Sequence, residues 1–400
     1  MELMERDKIL YKQPKSKFIP EDWKISPLQE IADKITDGEH LTPKRSKSGF
    51  YLLSARNIRN GKLDVSDVDY VELEEYNRIK NRCNPETGDV LISCSGTIGR
   101  VSIVPENFDC VLVRSAALIK PSFQKLDGKY LQYYLQSDPC QNQIKASVNQ
   151  GAQPNLFLNH IEKIEVRYPS FFEQEAIATA IGDTDALIVG LEKLIAKKKA
   201  IKQGAMQHLL TPPHKGGKRL PGFTGDWEEK RLGDYCGITT GKLDANAMDI
   251  DGDYPFYTCA KKVYTINKYA FETEALLISG NGANVGYIHY FKGKFNAYQR
   301  TYVLDNFSLN IHFIKYVLDV ELSKRIATEK KDGNTPYIVM DTLTDMLLVL
   351  PNSPEEQRAI AVILNDMDKE IEALEAKKTK FEKIKQGMMQ ELLTGKTRLV

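Results

Sequence analysis

The segment Ile201-Lys-Gln-Gly-Ala-Met-Gln-His-Leu-Leu-Thr211 returns as Ile384-Lys-Gln-Gly-Met-Met-Gln-Glu-Leu-Leu-Thr394, identical at nine of eleven positions and 183 residues later. Solenoid repeats recur every 20–50 residues or so. A repeat at this distance instead describes two copies of one large unit. Other landmarks recur in the same order. Asp22-Trp23 matches Asp226-Trp227, and these are the only two Trp residues in the chain. Leu91-Ile92-Ser93 matches Leu277-Ile278-Ser279, and Glu173–Ala178 resembles Glu356–Ala361. The offset falls along the chain, so the first copy carries about 20 extra residues, expected mostly within 51–82. One polypeptide of this design can present a pseudo-two-fold body, which suits a target with two halves. DNA is the commonest such target.

A chain of 400 residues calls for two or more domains. No apolar run reaches the length of a membrane span, and the N-terminus Met1-Glu-Leu-Met-Glu-Arg-Asp-Lys8 is charged, unlike a signal peptide. The six Cys are scattered without a C-x-x-C pair and read as reduced packing residues of a cytoplasmic protein. A net charge of +1 is low for a protein that holds DNA unaided, because phosphate neutralisation supplies most non-specific affinity. DNA binding would then rely on local basic patches or on partners.

Each copy reads as a globular part followed by a long helix. In the first, short β-like runs (Val90–Ser93, Val101–Val104, Val111–Val113, Ile164–Tyr168) are punctuated by Gly, Pro, Asn and Asp. A helix is expected over Gly128–Asn142, with its counterpart over Ile311–Glu329. From Glu173 to Leu210 there is no Pro, apolar residues recur at a helical period, and Pro212-Pro213 ends the run. A matching run leads to Thr394. Each helix is expected to span roughly 36–38 residues, or about 55 Å. Where one copy is apolar the other is charged, as at Ile195 and Lys378, which favours pairing of the unlike helices, antiparallel if the copies are two-fold related. The expected fold class is α+β: two pseudo-two-fold-related α/β domains joined by two long antiparallel coiled-coil helices. The expected boundaries are an N-terminal segment 1–19, domains at 20–170 and 226–352, helices at 171–211 and 353–394, a linker at 212–225 and a tail at 395–400.

The order Asp-Trp, a variable α/β part with Gly88-Asp-Val-Leu-Ile-Ser93, then Glu-Gln and a helix ending in Lys-Gln-Gly-x-Met-Gln-x-Leu-Leu-Thr, all occurring twice, resembles the specificity subunit of type I restriction–modification systems. The linker segment Lys218-Arg-Leu-Pro-Gly-Phe223 shares the resemblance, which runs from about residue 18 to the end. It implies a non-catalytic subunit whose two target-recognition domains read the halves of a bipartite site on double-stranded DNA. The helices would space the domains and dock two modification subunits, with restriction/translocase subunits joining. S-adenosylmethionine, Mg²⁺ and ATP would belong to those partners, with no cofactor in this chain.

The search for chemistry agrees. There is no Asn-Pro-Pro-Tyr/Phe motif, since Asn84-Pro85-Glu86 is not one, and no G-x-x-x-x-G-K-[ST] loop. The six His show no zinc spacing, and no catalytic or metal residues are assigned. Gly280–Gly286 faintly suggests a dinucleotide loop, but the residues after it, Tyr287–Phe291, read as strand and not helix.

Base edges and phosphates call for Arg, Lys, Asn and Gln. In the first domain the candidates are Lys44, Arg45, Lys47, Arg56, Asn57, Arg59, Arg100 and Arg114. In the second they are Lys242, Lys261, Lys262, Lys268, Asn281, Asn284, Gln299 and Arg300. The loops Gly151–Asn155 and Gly333–Pro336 are matched candidates for a DNA-facing turn or a plain strand entry. Both helix ends would meet the same kind of partner, so Gln203, Met206, Leu209, Leu210, Gln386, Met389, Leu392 and Leu393 are expected to dock protein. The alternatives are a helical scaffold that reads no DNA, or a self-contained methyltransferase.

Overall fold

Residues 19–148, 154–329 and 337–399 are described by a computed structural model. Eight α-helices occur among them: α1 Leu73–Lys80, α2 Gly128–Gln136, α3 Asp138–Ser147, α4 Leu158–Glu162, α5 Phe171–Leu209, α6 Ile311–Glu329, α7 Met340–Thr344 and α8 Pro354–Leu392. The chain divides into two compact units, residues 1–191 with 377–400, and residues 192–376. Each unit therefore holds one globular part, the N-terminal portion of the helix that follows it, and the C-terminal portion of the other long helix.

Both long helices contain 39 residues, about 58 Å at 1.5 Å per residue. Their starts are built alike. The Ser170 hydroxyl accepts from the Glu173 N–H, and the Ser353 hydroxyl accepts from the Glu356 N–H, so a Ser satisfies an orphan donor of each first turn. Within the second unit, Lys198 pairs with Glu370 and Lys202 with Asp368, each at 2.6 Å. Ascending α5 thus meets descending α8, and the two portions run antiparallel. Within the first unit, Asp185 pairs with Lys385 and Thr184 touches Met388, again antiparallel.

The first unit centres on a four-stranded antiparallel sheet in the order Ala32–Asp37, Ala116–Pro121, Val90–Ser93, Val101–Ile103. The second has the matching order Gly237–Thr240, Thr301–Asp305, Phe271–Ser279, Ile288–Ala297, extended by Tyr254–Tyr257 and Tyr264–Ile266. In the second unit, strand Ile288–Ala297 runs on to pair in parallel with Tyr254–Tyr257. Its counterpart in the first is broken, because Pro105 and the positive-φ Asn107 interrupt it. Cys110–Leu112 then pairs in parallel with Phe50–Leu53.

The expected extra residues lie here: between Leu53 and Val90 the first unit adds two short strands, Ile58–Arg59 and Lys62–Leu63, and α1, while its Asp69–Val71 pairs as the second unit's Tyr264–Ile266 does. The helix expected over Gly128–Asn142 is two helices, divided at Ser137, because Pro139 starts a new first turn and cannot donate within a continuing one. Its counterpart α6 has no Pro and runs unbroken.

The first core gathers Val90, Ile92, Tyr130, Tyr134, Ile177 and Ile181 with Leu392 and Leu393 from the end of α8. The second gathers Leu276, Ile278, Phe313, Val317, Ile360 and Leu364 with Leu210 from the end of α5. Each repeated helix end thus closes the core of the unit it reaches.

Candidate nucleic-acid interface

Three turns converge at one end of each central sheet. In the first unit they lie at Gly38–His40, Ser95–Gly99 and Arg114–Ser115. Backbone N–H groups of Glu39, Arg114 and Cys94 donate to Leu112, Glu39 and Ser115 at 2.8–3.0 Å, and Leu156 N–H donates to Cys94. In the second unit Gly241 donates to Thr301, Gln299 to Leu243, Gly280 to Arg300, and Ile338 to Gly280. Gly38 and Gly241 are obligatory for this crossing, because a Cβ at either would collide with the backbone of Leu112 or Ala297. The motif Ile35-Thr-Asp-Gly38 against Ile238-Thr-Thr-Gly241 marks these glycines in the sequence and was the missed signal.

Arg114 and Arg300 are exposed on matching turns but stand one position apart, since the backbone bonds align Arg114 with Gln299 and Arg300 with Ser115. In the first unit Arg114 borders a depression of about 760 Å³, lined also by Asp37, His40, Ser95, Asn155 and Asn159. Asp37 lies 2.6 Å from His40 and 2.8 Å from Arg82. Burial pushes its carboxyl pKa up, but the hydrogen bonds from Arg82 and His40 outweigh that and leave it below its ordinary value.

The candidate cations fall into two groups. Arg45 pairs with Asp69 at 3.0 Å, Arg56 with Asp69 at 3.2 Å and Asp67 at 3.6 Å, and Arg59 with Asp64 at 3.5 Å. These acids compete with phosphate. No ion pair forms at Lys44, Lys47, Arg100, Arg114, Lys242, Lys261, Lys262, Lys268 or Arg300 among the described residues. Two of these lysines lie over aromatic rings, Lys261 over Tyr287 and Lys262 over Tyr264, both at 5.5 Å.

Three amide residues have structural work. Asn57 is buried, and its side chain binds the backbone of Ser54, Asp64 and Asp67. It is no DNA contact, because its donors and acceptor are already spent on holding its own turn. The Asn284 amide donates to the Cys259 carbonyl at 3.0 Å, and the Gln299 amide to Asp244 at 2.8 Å. Asn281 keeps a half-exposed side chain beside the bridge to Tyr337. Of the proposed loop pair, residues 151–153 and 333–336 lie outside the described residues. Gly280–Gly286 is a turn between two strands, as its flanking residues suggested.

The helix-end residues expected to dock protein need correction. Leu210, Leu392 and Leu393 are buried in the two cores, and Met206, Leu209 and Met389 pack against them. Apolar side chains at this spacing gain more from closing a core than from standing in water. Gln203 and Gln386 are exposed.

Comparison with known proteins agrees with this architecture. Residues 20–203 and 224–383 match the family described as Type I restriction modification DNA specificity domain. The EcoDI specificity subunit of Escherichia coli is 42% identical over a match covering 42% of this chain and 37% of that protein. The putative MjaX specificity subunit of Methanocaldococcus jannaschii is 29% identical over 95% of each chain. The S subunit of a type I system from M. genitalium superposes with a TM-score of 0.67 over 95% of this chain and 97% of its own, at 18% identity. The chain belongs to the type I restriction–modification specificity family, as a non-catalytic DNA-specificity subunit.

Proposed function

We propose that the two globular parts, residues 20–170 and 226–352, are recognition domains that each read one half of a bipartite site on double-stranded DNA. Helices 171–211 and 353–394, with the linker 212–225, form the frame that spaces them. The observation that carries this reading is the matched pair of turns bearing Arg114 and Arg300. Each is exposed and free of acidic partners among the described residues, and the two turns are held by equivalent backbone bonds, with Arg300 one position further along its turn than Arg114. An unpaired guanidinium on a rigid turn can take a phosphate or the O6 and N7 of guanine.

The near-neutral charge fits a subunit that shares DNA with others. Two modification subunits would supply the methyltransferase, and restriction/translocase subunits would join them, in the cytoplasm. S-adenosylmethionine, Mg²⁺ and ATP would bind in those subunits. Gln203 and Gln386 remain available for docking, unlike the buried leucines beside them. Sequencing of methylated bases in cells with and without the gene tests this. A bipartite motif that vanishes on deletion is expected, and an unchanged methylation pattern would refute it.

A further inference from the structure

One cluster outside the DNA-facing turns occurs in both units with the same three residue types. In the first, the Tyr133 hydroxyl donates to Asp185 Oδ2 at 3.0 Å, and Lys385 Nζ lies 2.6 Å from Asp185 Oδ1. The Lys385 ammonium also sits 5.6 Å from the centre of the Tyr133 ring. In the second, the Tyr316 hydroxyl donates to Asp368 Oδ2 at 2.8 Å, Lys202 Nζ lies 2.6 Å from Asp368 Oδ1, and it sits 5.1 Å from the Tyr316 ring. All three pairs, Tyr133 and Tyr316, Asp185 and Asp368, Lys202 and Lys385, are separated by the 183 residues of the helix-end repeat.

Each triad takes one residue from each of three elements: the helix of the globular part (α2 or α6), the long helix that leaves it, and the long helix that arrives. The tyrosines are 5% and 3% exposed, so their hydroxyls need the aspartate. The aspartate in turn uses one oxygen for each partner, which ties three elements through a single carboxylate. An apolar contact tolerates sliding, whereas a charge-assisted bond fixes direction as well as distance. Nearby positions on the same helices are not kept in this way: Gln132 stands where the second unit has Lys315, and Leu187 where it has Glu370.

We propose that Asp185 and Asp368 are positioning residues, each fixing the pose of a recognition domain on the helices of its own unit and so admitting a single spacing between the two DNA half-sites. This rests on the bipartite reading proposed above. The test sequences methylated bases in cells carrying the full chain with its modification subunits. Wild type should give one motif with one spacer.

Asp185→Ala and Asp368→Ala should keep both half-site sequences and raise methylation at spacers one base pair longer or shorter by on the order of tenfold, the scale of a charge-assisted bond. Tyr133→Phe, which keeps the buried ring and removes only the hydroxyl, should do the same to a lesser degree. It carries the test if the alanine variants do not accumulate. Lys385→Arg should restore the single spacer relative to Lys385→Met. An unchanged spacer in Asp185→Ala and Tyr133→Phe, with half-sites intact, would overturn the positioning role while leaving the bipartite reading in place. Absence of any bipartite motif in wild type would overturn both.

Discussion

Arg114 and Arg300 show why partner geometry matters more than residue type. Both are exposed on rigid turns without a carboxylate to satisfy them, whereas Arg45, Arg56 and Arg59 already face Asp64, Asp67 or Asp69. Replacing Arg114 or Arg300 by Ala should weaken DNA binding of the assembled complex. If the contact is to phosphate, the slope of log K against log salt should fall by about 1 per residue. Ala at Arg56 should change both quantities less. Titration at several salt concentrations distinguishes these outcomes.

Asn57→Ala, by contrast, should cost about 1–3 kcal/mol of stability by stranding buried backbone groups, with the recognised bases unaltered. Glu75 adds a pH signature. The Arg78 hydrogen bond, opposed by burial and reinforced by the Lys44 N–H, pulls its pKa from the ordinary 4.5 to about 2. A depressed carboxylate pKa stabilises the fold above the unfolded value and loses that contribution as pH falls towards the folded one. The stability gap between wild type and Glu75→Gln should therefore be full above about pH 5 and close as pH drops towards 2, as thermal melts across that range would record. Sequence alone identified the residue types at these positions. It could not separate Asn57 from Arg114, because whether a polar side chain is spent inside its own turn or left exposed depends on how that turn folds.

At the scale of elements, the long helices were legible because their cause is local: a helical apolar period, no internal Pro, and Pro212 as a stop. Their ends were harder to assign. The near-identity of Ile201–Thr211 and Ile384–Thr394 marked an important surface, but which surface depended on where each helix arrives. Leu393 is 1% exposed in the first core although it lies more than 200 residues from the domain it seals. Leu393→Ala should destabilise the first unit by about 2–5 kcal/mol, read by denaturant unfolding, and a docking role alone would leave stability unchanged.

Buried glutamines act in the same structural frame. The Gln174 amide donates to Pro169 and Lys125 carbonyls and its oxygen accepts from Asp127 N–H, while Gln357 donates to Pro351 and accepts from Asn310 N–H. Asp127 and Asn310 in turn cap α2 and α6 through Tyr130 and Phe313 N–H. The Glu-Gln pair that announced the repeat in the sequence is thus the joint between each long helix and the helix of its domain.

At the scale of the whole molecule, the duplication extends to the segments that follow the two long helices. The C-terminal Arg398 forks onto Glu173 at 2.7 and 2.8 Å and onto Asp22 at 2.9 and 2.7 Å. The linker residue Arg219 grips the equivalent Glu356 at 2.6 and 3.0 Å. The tail does for the first unit what the linker does for the second. Both glutamates are fully buried, so removing either arginine leaves an unpaired charge inside, at a cost of about 3–5 kcal/mol. Arg398→Met should therefore lower the unfolding midpoint of the first unit without changing the methylated sequence.

The duplication and the frame were readable because repeats preserve order and spacing. The differences between the domains, such as the added strands and α1 of the first, were readable only as length. The bases each domain reads depend on which turn side chains reach the groove. The most direct test of the bipartite account is replacement of residues 20–170 by the equivalent domain of a relative with another target, followed by sequencing of methylated bases. The account predicts that one half-site changes to the relative's and the other half-site stays. Methylation of the original sequence, or a change in both halves, would contradict it.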